Sequence, residues 1–375
     1  MLTEARDDAE RPVSRNPYVF LVGCSRSGTT LLQRIVNAHP QVAVTHEQDW
    51  IANFFRKRAG LTPDGRVTTE LITHLLQHKR FPKLGVGRED LGRLVGSGPA
   101  VSYAAFVTGI LDMYGKSRGK RLVGDKCPSY VLEIPSLHAL WPGAKFVHLI
   151  RDGRDVCLSL LNWDKPDRIT ARFLGCAEDR VSTSALYWKW LVQAGRQAGR
   201  WLGPERYYEI RYEALLADAP GECTRLCAFL GVPYAAAMLR FHEGRRRNEP
   251  GLDPKAAWLP ITPGLRDWRT QMRPEEPERF EAAAGDLLED LGYPRACPRP
   301  RPEIQHALTG IKEAFNRERV HWETGSPKPR AAGGSALGAA DPNGSISCPS
   351  GPTSSPTPAA ASTSGSITSP PTNDT

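Results

Sequence analysis

Tyr18-Val19-Phe20-Leu21-Val22-Gly23 is an unbroken apolar run ending in Gly, the pattern of a strand buried on both faces of a parallel sheet. After a turn of small residues, Leu31, Leu32, Ile35 and Val36 recur at helical spacing until His39-Pro40 stops the helix. Gln41 to Thr45 predicts a second strand, and Arg121-Leu122-Val123 a short one ending at Gly124-Asp125-Lys126. Phe146 to Ile150 is the second clear buried strand; Asp152 or Asp155 then opens a helix through Leu158, Leu160 and Leu161. Tyr207 to Tyr212 reads as a strand leading into a helix from Gly221 to Leu230, which Gly231 ends and Pro233 keeps from resuming. Residues 50–116 read as helical and loop-rich, in no definite order. Strands alternating with helices predict an α/β fold, a mostly parallel central sheet with helices on both faces. Ligands of such sheets sit at the carboxyl ends of strands, so the segments after Val22, Val123, Ile150 and Ile210 are where chemistry is expected.

Composition narrows the class. The 375 residues include 49 Lys and Arg against 41 Asp and Glu, a net charge of 49 − 41 = +8, and 40% are hydrophobic. No run approaches the roughly 20 apolar residues of a membrane span. The opening MLTEARDDAE is acidic-rich where a secretory signal is basic and then apolar. Eight Cys without tight pairing read as reduced thiols, so the expected compartment is the cytoplasm. From Gly325 to Thr375 the chain is almost all Ser, Pro, Gly, Ala and Thr, a composition expected to stay disordered. The expected organisation is an extension over 1–16, one domain over 17–324 and that tail over 325–375. The tail's four charges, Lys328, Arg330, Asp341 and Asp374, cancel, so the excess belongs to the body. That suits an anionic ligand but not nucleic acid, since the cations are scattered among acids and Arg245-Arg246-Arg247 reads as a solvated face.

Gly23-Cys24-Ser25-Arg26-Ser27-Gly28-Thr29-Thr30 joins the first strand to the first helix. Small residues let backbone N–H groups converge where the helix N-terminus adds partial positive charge, so an anion site is expected over a plain turn. The spacing G-x-x-x-x-G matches a nucleotide P-loop, but Thr29 stands where the lysine that contacts the β- and γ-phosphates should be. The cation, Arg26, sits inside the loop instead. A sulfuryl group carries less charge than a γ-phosphoryl group, and amides with one or two cations suffice for it.

Arg151-Asp152-Gly153-Arg154-Asp155-Val156-Cys157-Leu158-Ser159 follows the strand 146–150 directly. Arg151 at the strand end can point its guanidinium at a phosphate, and Ser159 lies about two helical turns on. Taken alone, the same residues also suit a capped helix with structural Arg–Asp pairs.

Together, Arg26-Ser-Gly-Thr-Thr and Arg151-Asp-Gly-Arg-Asp-Val-x-x-Ser159 resemble the two cofactor motifs of the sulfotransferases that use 3′-phosphoadenosine 5′-phosphosulfate (PAPS), and within them the branch of the tyrosylprotein sulfotransferases and bacterial relatives. The resemblance covers roughly residues 17–295, with clear matches only at islands. It implies that Ser25, Arg26, Ser27, Gly28, Thr29 and Thr30 hold the 5′-phosphosulfate, that Arg151 and Ser159 hold the 3′-phosphate, and that Tyr212 contacts the adenine region. Glu47 matches the general base of the tyrosylprotein branch; a surface acid, or His46 as the base, are the alternatives. Lys126 resembles the lysine near the bridging oxygen of the leaving group; the alternative is a turn lysine paired with Asp125. The chain departs from the cytosolic branch in having no Arg-Lys-Gly segment. Ile261 to Arg269 resembles the Gly-x-x-x-Trp segment instead, with Thr262 or Arg266 as the cofactor contact. Trp163 stands where the tyrosylprotein branch has another cofactor-binding Arg.

Cys223 and Cys227, four residues apart, read as buried structural thiols rather than metal ligands, and Trp188, Trp190 and Trp201 as core. The expected protein is a cytoplasmic PAPS-dependent sulfotransferase acting by metal-free in-line transfer to a hydroxyl, or less readily an amine. Glu47 would activate the acceptor, while Arg26 and Lys126 neutralise developing charge. The rivals are a P-loop kinase or NTPase with an atypical phosphate loop and Asp152 as its metal-binding acid, and a non-catalytic basic binding protein. Small-molecule, carbohydrate and peptide acceptors are not distinguished by the sequence, nor is the oligomeric state.

Overall fold

The strands carry apolar residues on both faces because each face is covered by helices. Val19, Leu21, Val42, Val44, Leu122, Val147 and Leu149 enter one core with Leu32, Ile35 and Val36. The intervening Phe20, Val22, Ala43, Val123, Phe146 and Ile150 enter the other with Phe106, Ile110, Trp188 and Leu191. The period-2 alternation thus divides between two cores rather than between core and water. The structure, a computed structural model, describes residues 14–96, 101–164, 166–175, 177–243, 261–262 and 266–324. The tail expected over 325–375 and Arg245 to Arg247 lie outside the described residues.

Five strands, β1 (Val19–Gly23), β2 (Val42–His46), β3 (Leu122–Lys126), β4 (Lys145–Ile150) and β5 (Tyr207–Arg211), form one sheet in the order β2-β3-β1-β4-β5. All their pairings are parallel. α1 (Thr29–Asn37) links β1 to β2, and α2 (Trp50–Lys57), α3 (Thr69–Gln77), α4 (Arg88–Val95) and α5 (Tyr103–Ser117) lie between β2 and β3. α6 (Ile134–Leu140) precedes β4, and α7 (Gly153–Leu161), α8 (Arg168–Leu174) and α9 (Arg180–Leu202) precede β5. α10 (Tyr212–Ala217), α11 (Ala219–Leu230), α12 (Trp268–Gln271), α13 (Glu275–Asp290) and α14 (Pro302–Thr324) follow it. Among the described residues no helix is long and apolar enough to cross a membrane.

Three boundaries differ from the sequence reading. β3 runs on through Gly124 to Lys126, because Gly124 packs against the Val19 carbonyl of β1, where a Cβ would come within 2.3 Å. β5 stops at Arg211, and Tyr212 opens the short α10, inserted before a longer α11 than expected. Trp188 is fully buried and Trp190 nearly so, but Trp201, in the last turn of α9, is 63% exposed and not core. Cys223 and Cys227 are buried and unbridged.

Candidate active site

Parallel strands place their carboxyl ends along one edge of the sheet, and the expected site residues all fall there. The loop 24–28 leaves β1, Glu47 follows β2, Lys126 ends β3, Arg151 follows β4 and Tyr212 follows β5. β1 is the central strand, flanked by β3 and β4; the chain leaves it toward β2 on one side and later crosses from β3 to β4 on the other, the reversal of strand order that opens a crevice at the strand tips.

The first loop is shaped by close approaches. Gly23 has φ 152°, and a Cβ there would lie 2.5 Å from the Leu149 carbonyl oxygen. Gly28, at φ 96°, lets the Tyr212 ring pack where its own Cβ would come within 2.6 Å. Arg26 is left-handed as well, at φ 75°, and a non-glycine held there stores strain of the kind that gathers at functional sites. The Arg26 guanidinium lies 4.8 Å over the Trp163 ring, and its Nε donates to Ser159 Oγ at 3.0 Å. Trp163 therefore braces Arg26 in the place where the related branch has a further cation. Ser25 Oγ donates to Asp167 Oδ2 at 2.7 Å.

Arg151 is buried. Its guanidinium stacks 4.3 Å over the Tyr212 ring, and Nη2 lies 3.3 Å from Asp155 Oδ2. Asp155 Oδ1 accepts the Trp268 N–H at 2.9 Å, while Arg151 Nε is buried without a hydrogen-bond partner. The neighbouring Arg154 is structural: its fully buried guanidinium pairs with Asp152 and, at 2.7 Å, with Glu281. Asp152 caps α7 through the Arg154 N–H and takes the same guanidinium on both oxygens. Both its oxygens are thus engaged by Arg154, and it does not line the cavity that holds the site.

One cavity of about 680 Å³ is lined by Ser25, Arg26, Gly28, Thr29, Thr30, Glu47, Arg151, Ser159 and Tyr212. Thr262 and Arg266 line it too. Two expected residues differ. Ser27 is buried, its hydroxyl without a partner, and does not line the cavity, so only its backbone is placed to serve the loop. Lys126 is fully buried behind the wall, its Nζ 2.6 Å from Glu47 Oε1 and 3.4 Å from Thr30 Oγ1. It does not pair with Asp125, whose carboxylate accepts Thr45 Oγ1 at 2.5 Å and the Gln48 N–H; burial pushes that carboxyl up to about 6.

Glu47 sits at φ 51°, held by its N–H on the Lys126 carbonyl at 2.7 Å and by Arg80 Nη1 on its own carbonyl at 2.8 Å. Arg80 Nη2 also lies 3.0 Å from Glu47 Oε2. Burial works to raise the Glu47 carboxyl, but Lys126 and Arg80 outweigh it and bring it down to about 2. Burial, reinforced by the Lys126 charge, lowers His46 to about 4, so its ring is neutral near pH 7. Glu47, and not His46, reaches the cavity. Arg80, Asp167 and Trp322 also line it, and the sequence reading singled out none of them. Arg80 lies 33 residues from Glu47 in a segment without a readable motif.

The model of the sulfotransferase family, described as "Sulfotransferase family", matches residues 17–236. A protein-tyrosine sulfotransferase of Drosophila melanogaster is 25% identical over 339 residues, covering 85% of this chain and 60% of that one. Nodulation protein NoeE of Sinorhizobium fredii is 25% identical over 339 residues, covering 83% and 75%. An omega-hydroxy-beta-dihydromenaquinone-9 sulfotransferase of Mycobacterium bovis is 35% identical over 203 residues, covering 50% and 46%. Among solved structures, the sulfotransferase domain of the Synechococcus PCC 7002 olefin synthase superposes with a TM-score of 0.52 at 24% identity, over 75% of this chain and 96% of that domain; this likeness bears on the fold. With the loop after β1 and Arg151 after β4 opening into one cavity, the chain belongs to the sulfotransferase family.

Proposed function

We propose that this chain moves a sulfuryl group from PAPS to the hydroxyl of a small-molecule, carbohydrate or peptide acceptor, in the cytoplasm and without a metal ion. The observation that carries the reading is the shared cavity: Arg26 and Arg151, at neighbouring strand tips, line it together, and Ser159 links the two sites through its contact with Arg26. The residues fit the nucleotide. Arg151 keeps a buried N–H without a partner, and Gly28, without a side chain, lines the cavity. The loop from Ser25 to Thr30 would hold the 5′-phosphosulfate, Arg151 and Ser159 the 3′-phosphate, and Tyr212 would lie against the adenine side. Bound there, PAPS would supply the sulfuryl group and a stable nucleotide leaving group.

The chain's own residues account for the rest. Glu47 reaches the cavity and takes the proton of the acceptor hydroxyl. In its pairs with Lys126 and Arg80 it is too weak a base, and Lys126 provides the remedy. Its Nζ already lies between the Glu47 carboxylate and Thr30 at the loop, so a short shift toward the loop removes one of the two charges that weaken Glu47 as a base, Arg80 remaining, and brings a cation to the developing negative charge. The fly and mycobacterial relatives are named for acceptors that carry hydroxyls, which favours a hydroxyl over an amine. Thr29 in place of the P-loop lysine, and the committed oxygens of Asp152, weigh against a kinase.

Calorimetric titration with 3′,5′-ADP, and with ATP plus Mg²⁺, tests the reading. Binding of 3′,5′-ADP that is lost in Arg151→Ala, together with sulfuryl transfer from labelled PAPS to a hydroxyl acceptor, is expected. Mg²⁺-dependent ATP binding with none for 3′,5′-ADP would favour the kinase reading.

A further inference from the structure

α14 lies beyond the matched residues 17–236, yet it reaches the cavity. Only Leu308 and Phe315 of this helix are buried. Phe315 packs against Phe173 and Trp190, with ring centroids 5.0 and 6.2 Å apart, and Glu318 pairs with Arg172 of α8. Leu308, Ile311, Phe315, Glu318 and Trp322 follow one another at spacings of three and four, a single stripe along the helix. The last member of the stripe, Trp322, packs against the edge of the core, 5.8 Å from the Arg172 guanidinium, and lines the cavity. There it meets the Arg56 guanidinium, 5.2 Å from its ring centroid, while Arg56 Nη1 pairs with Glu133 Oε1 at 2.9 Å. The lining residues nearest these groups in sequence include Ala52, Pro128, Leu132 and Ile169, interleaved with Asn53, Glu133 and Arg168. A flat apolar body lying against the Trp322 ring and these four apolar side chains would gain from the contact.

We propose that Trp322 is the acceptor-selecting residue of this site, and that the acceptor carries its hydroxyl on a flat apolar body of the phenol type. The inference rests on the sulfotransferase reading above. α14 supplies the wall from outside the nucleotide-binding sheet, so acceptor choice is set by a segment that takes no part in holding the nucleotide.

The test uses the full chain with 4-nitrophenol, 2-naphthol and trehalose as acceptors, and equilibrium dialysis of 2-naphthol against the protein saturated with 3′,5′-ADP. In Trp322→Ala, KM for 4-nitrophenol and the dissociation constant for 2-naphthol are expected to rise about tenfold, the scale of one lost aromatic contact. kcat is expected to hold within about threefold and 3′,5′-ADP affinity to be unchanged, with Trp322→Phe recovering most of the loss. Unchanged KM and 2-naphthol affinity, or a wild-type preference for trehalose, would overturn the proposal while leaving sulfuryl transfer intact. Should Trp322→Ala not fold, Trp322→Leu, which keeps an apolar side chain and removes the ring, carries the same comparison: a rise in KM and in the 2-naphthol dissociation constant supports the proposal, and unchanged values overturn it. Failure of the wild type to bind 3′,5′-ADP at all would instead sink the reading on which the proposal rests.

Discussion

Arg26 Nε donates to Ser159 Oγ at 3.0 Å, so the loop after β1 and the helix after β4 share one hydrogen bond across the crevice. A ligand gripped at both ends depends on that spacing. Ser159→Ala is therefore expected to weaken 3′,5′-ADP binding about tenfold, the worth of a hydrogen bond to a charged group. Arg151→Ala should weaken it roughly a hundredfold. If both hold one phosphate, as proposed, calorimetry on the double variant should show less than the sum of the two free-energy losses.

The Glu47 carboxyl lies at about 2, below its unfolded value, because Lys126 and Arg80 prevail over burial. A depressed acid contributes stability that is present above the unfolded pKa and lost as pH falls through the folded one. Glu47→Gln should thus cost roughly 3 kcal/mol at pH 7 by leaving Lys126 buried and unpaired, and the gap to wild type should close between about pH 4.5 and 2. Denaturant melts over that range measure it. Arg80→Ala removes one of the two lowering charges, so the acid limb of kcat/KM should move to higher pH.

Lys126 is fully buried, yet its Nζ touches both Glu47 and Thr30. If it meets the charge that develops on the leaving group, Lys126→Ala should lower kcat by about 10² to 10³ while 3′,5′-ADP binds within a few-fold of wild type. Equal losses in binding and turnover would assign it to holding the nucleotide instead. Pre-steady-state and calorimetric measurements on the same protein separate the two.

Gly28 stands at φ 96° with the Tyr212 ring where a Cβ would come within 2.6 Å. Gly28→Ala combines backbone strain and a clash, about 2 kcal/mol together, and should lower Tm by roughly 5 °C and abolish measurable 3′,5′-ADP binding. Adding Tyr212→Ala relieves the clash but removes a buried ring, so the two Tm losses should be less than additive and none of the binding should return.

Much of this molecule was legible along the chain because its signals are local. Two unbroken apolar runs and three shorter strand-like segments predict the strands, and parallel topology follows from the helices between them. Once the sheet is parallel, residues that follow strands must gather at one edge, which is why Glu47, Lys126, Arg26, Arg151 and Tyr212 meet although up to 186 positions separate them. Local periodicity carries no distance between side chains, however, and packing decided the rest. It put Lys126 behind the wall and against Glu47 rather than Asp125, brought Arg80 from a segment without a motif, and turned Trp163 into the brace of Arg26. It also brought the end of α14 to the cavity. Those partnerships depend on which charges and rings are nearest once water is excluded, a property of the folded volume and not of spacing along the chain.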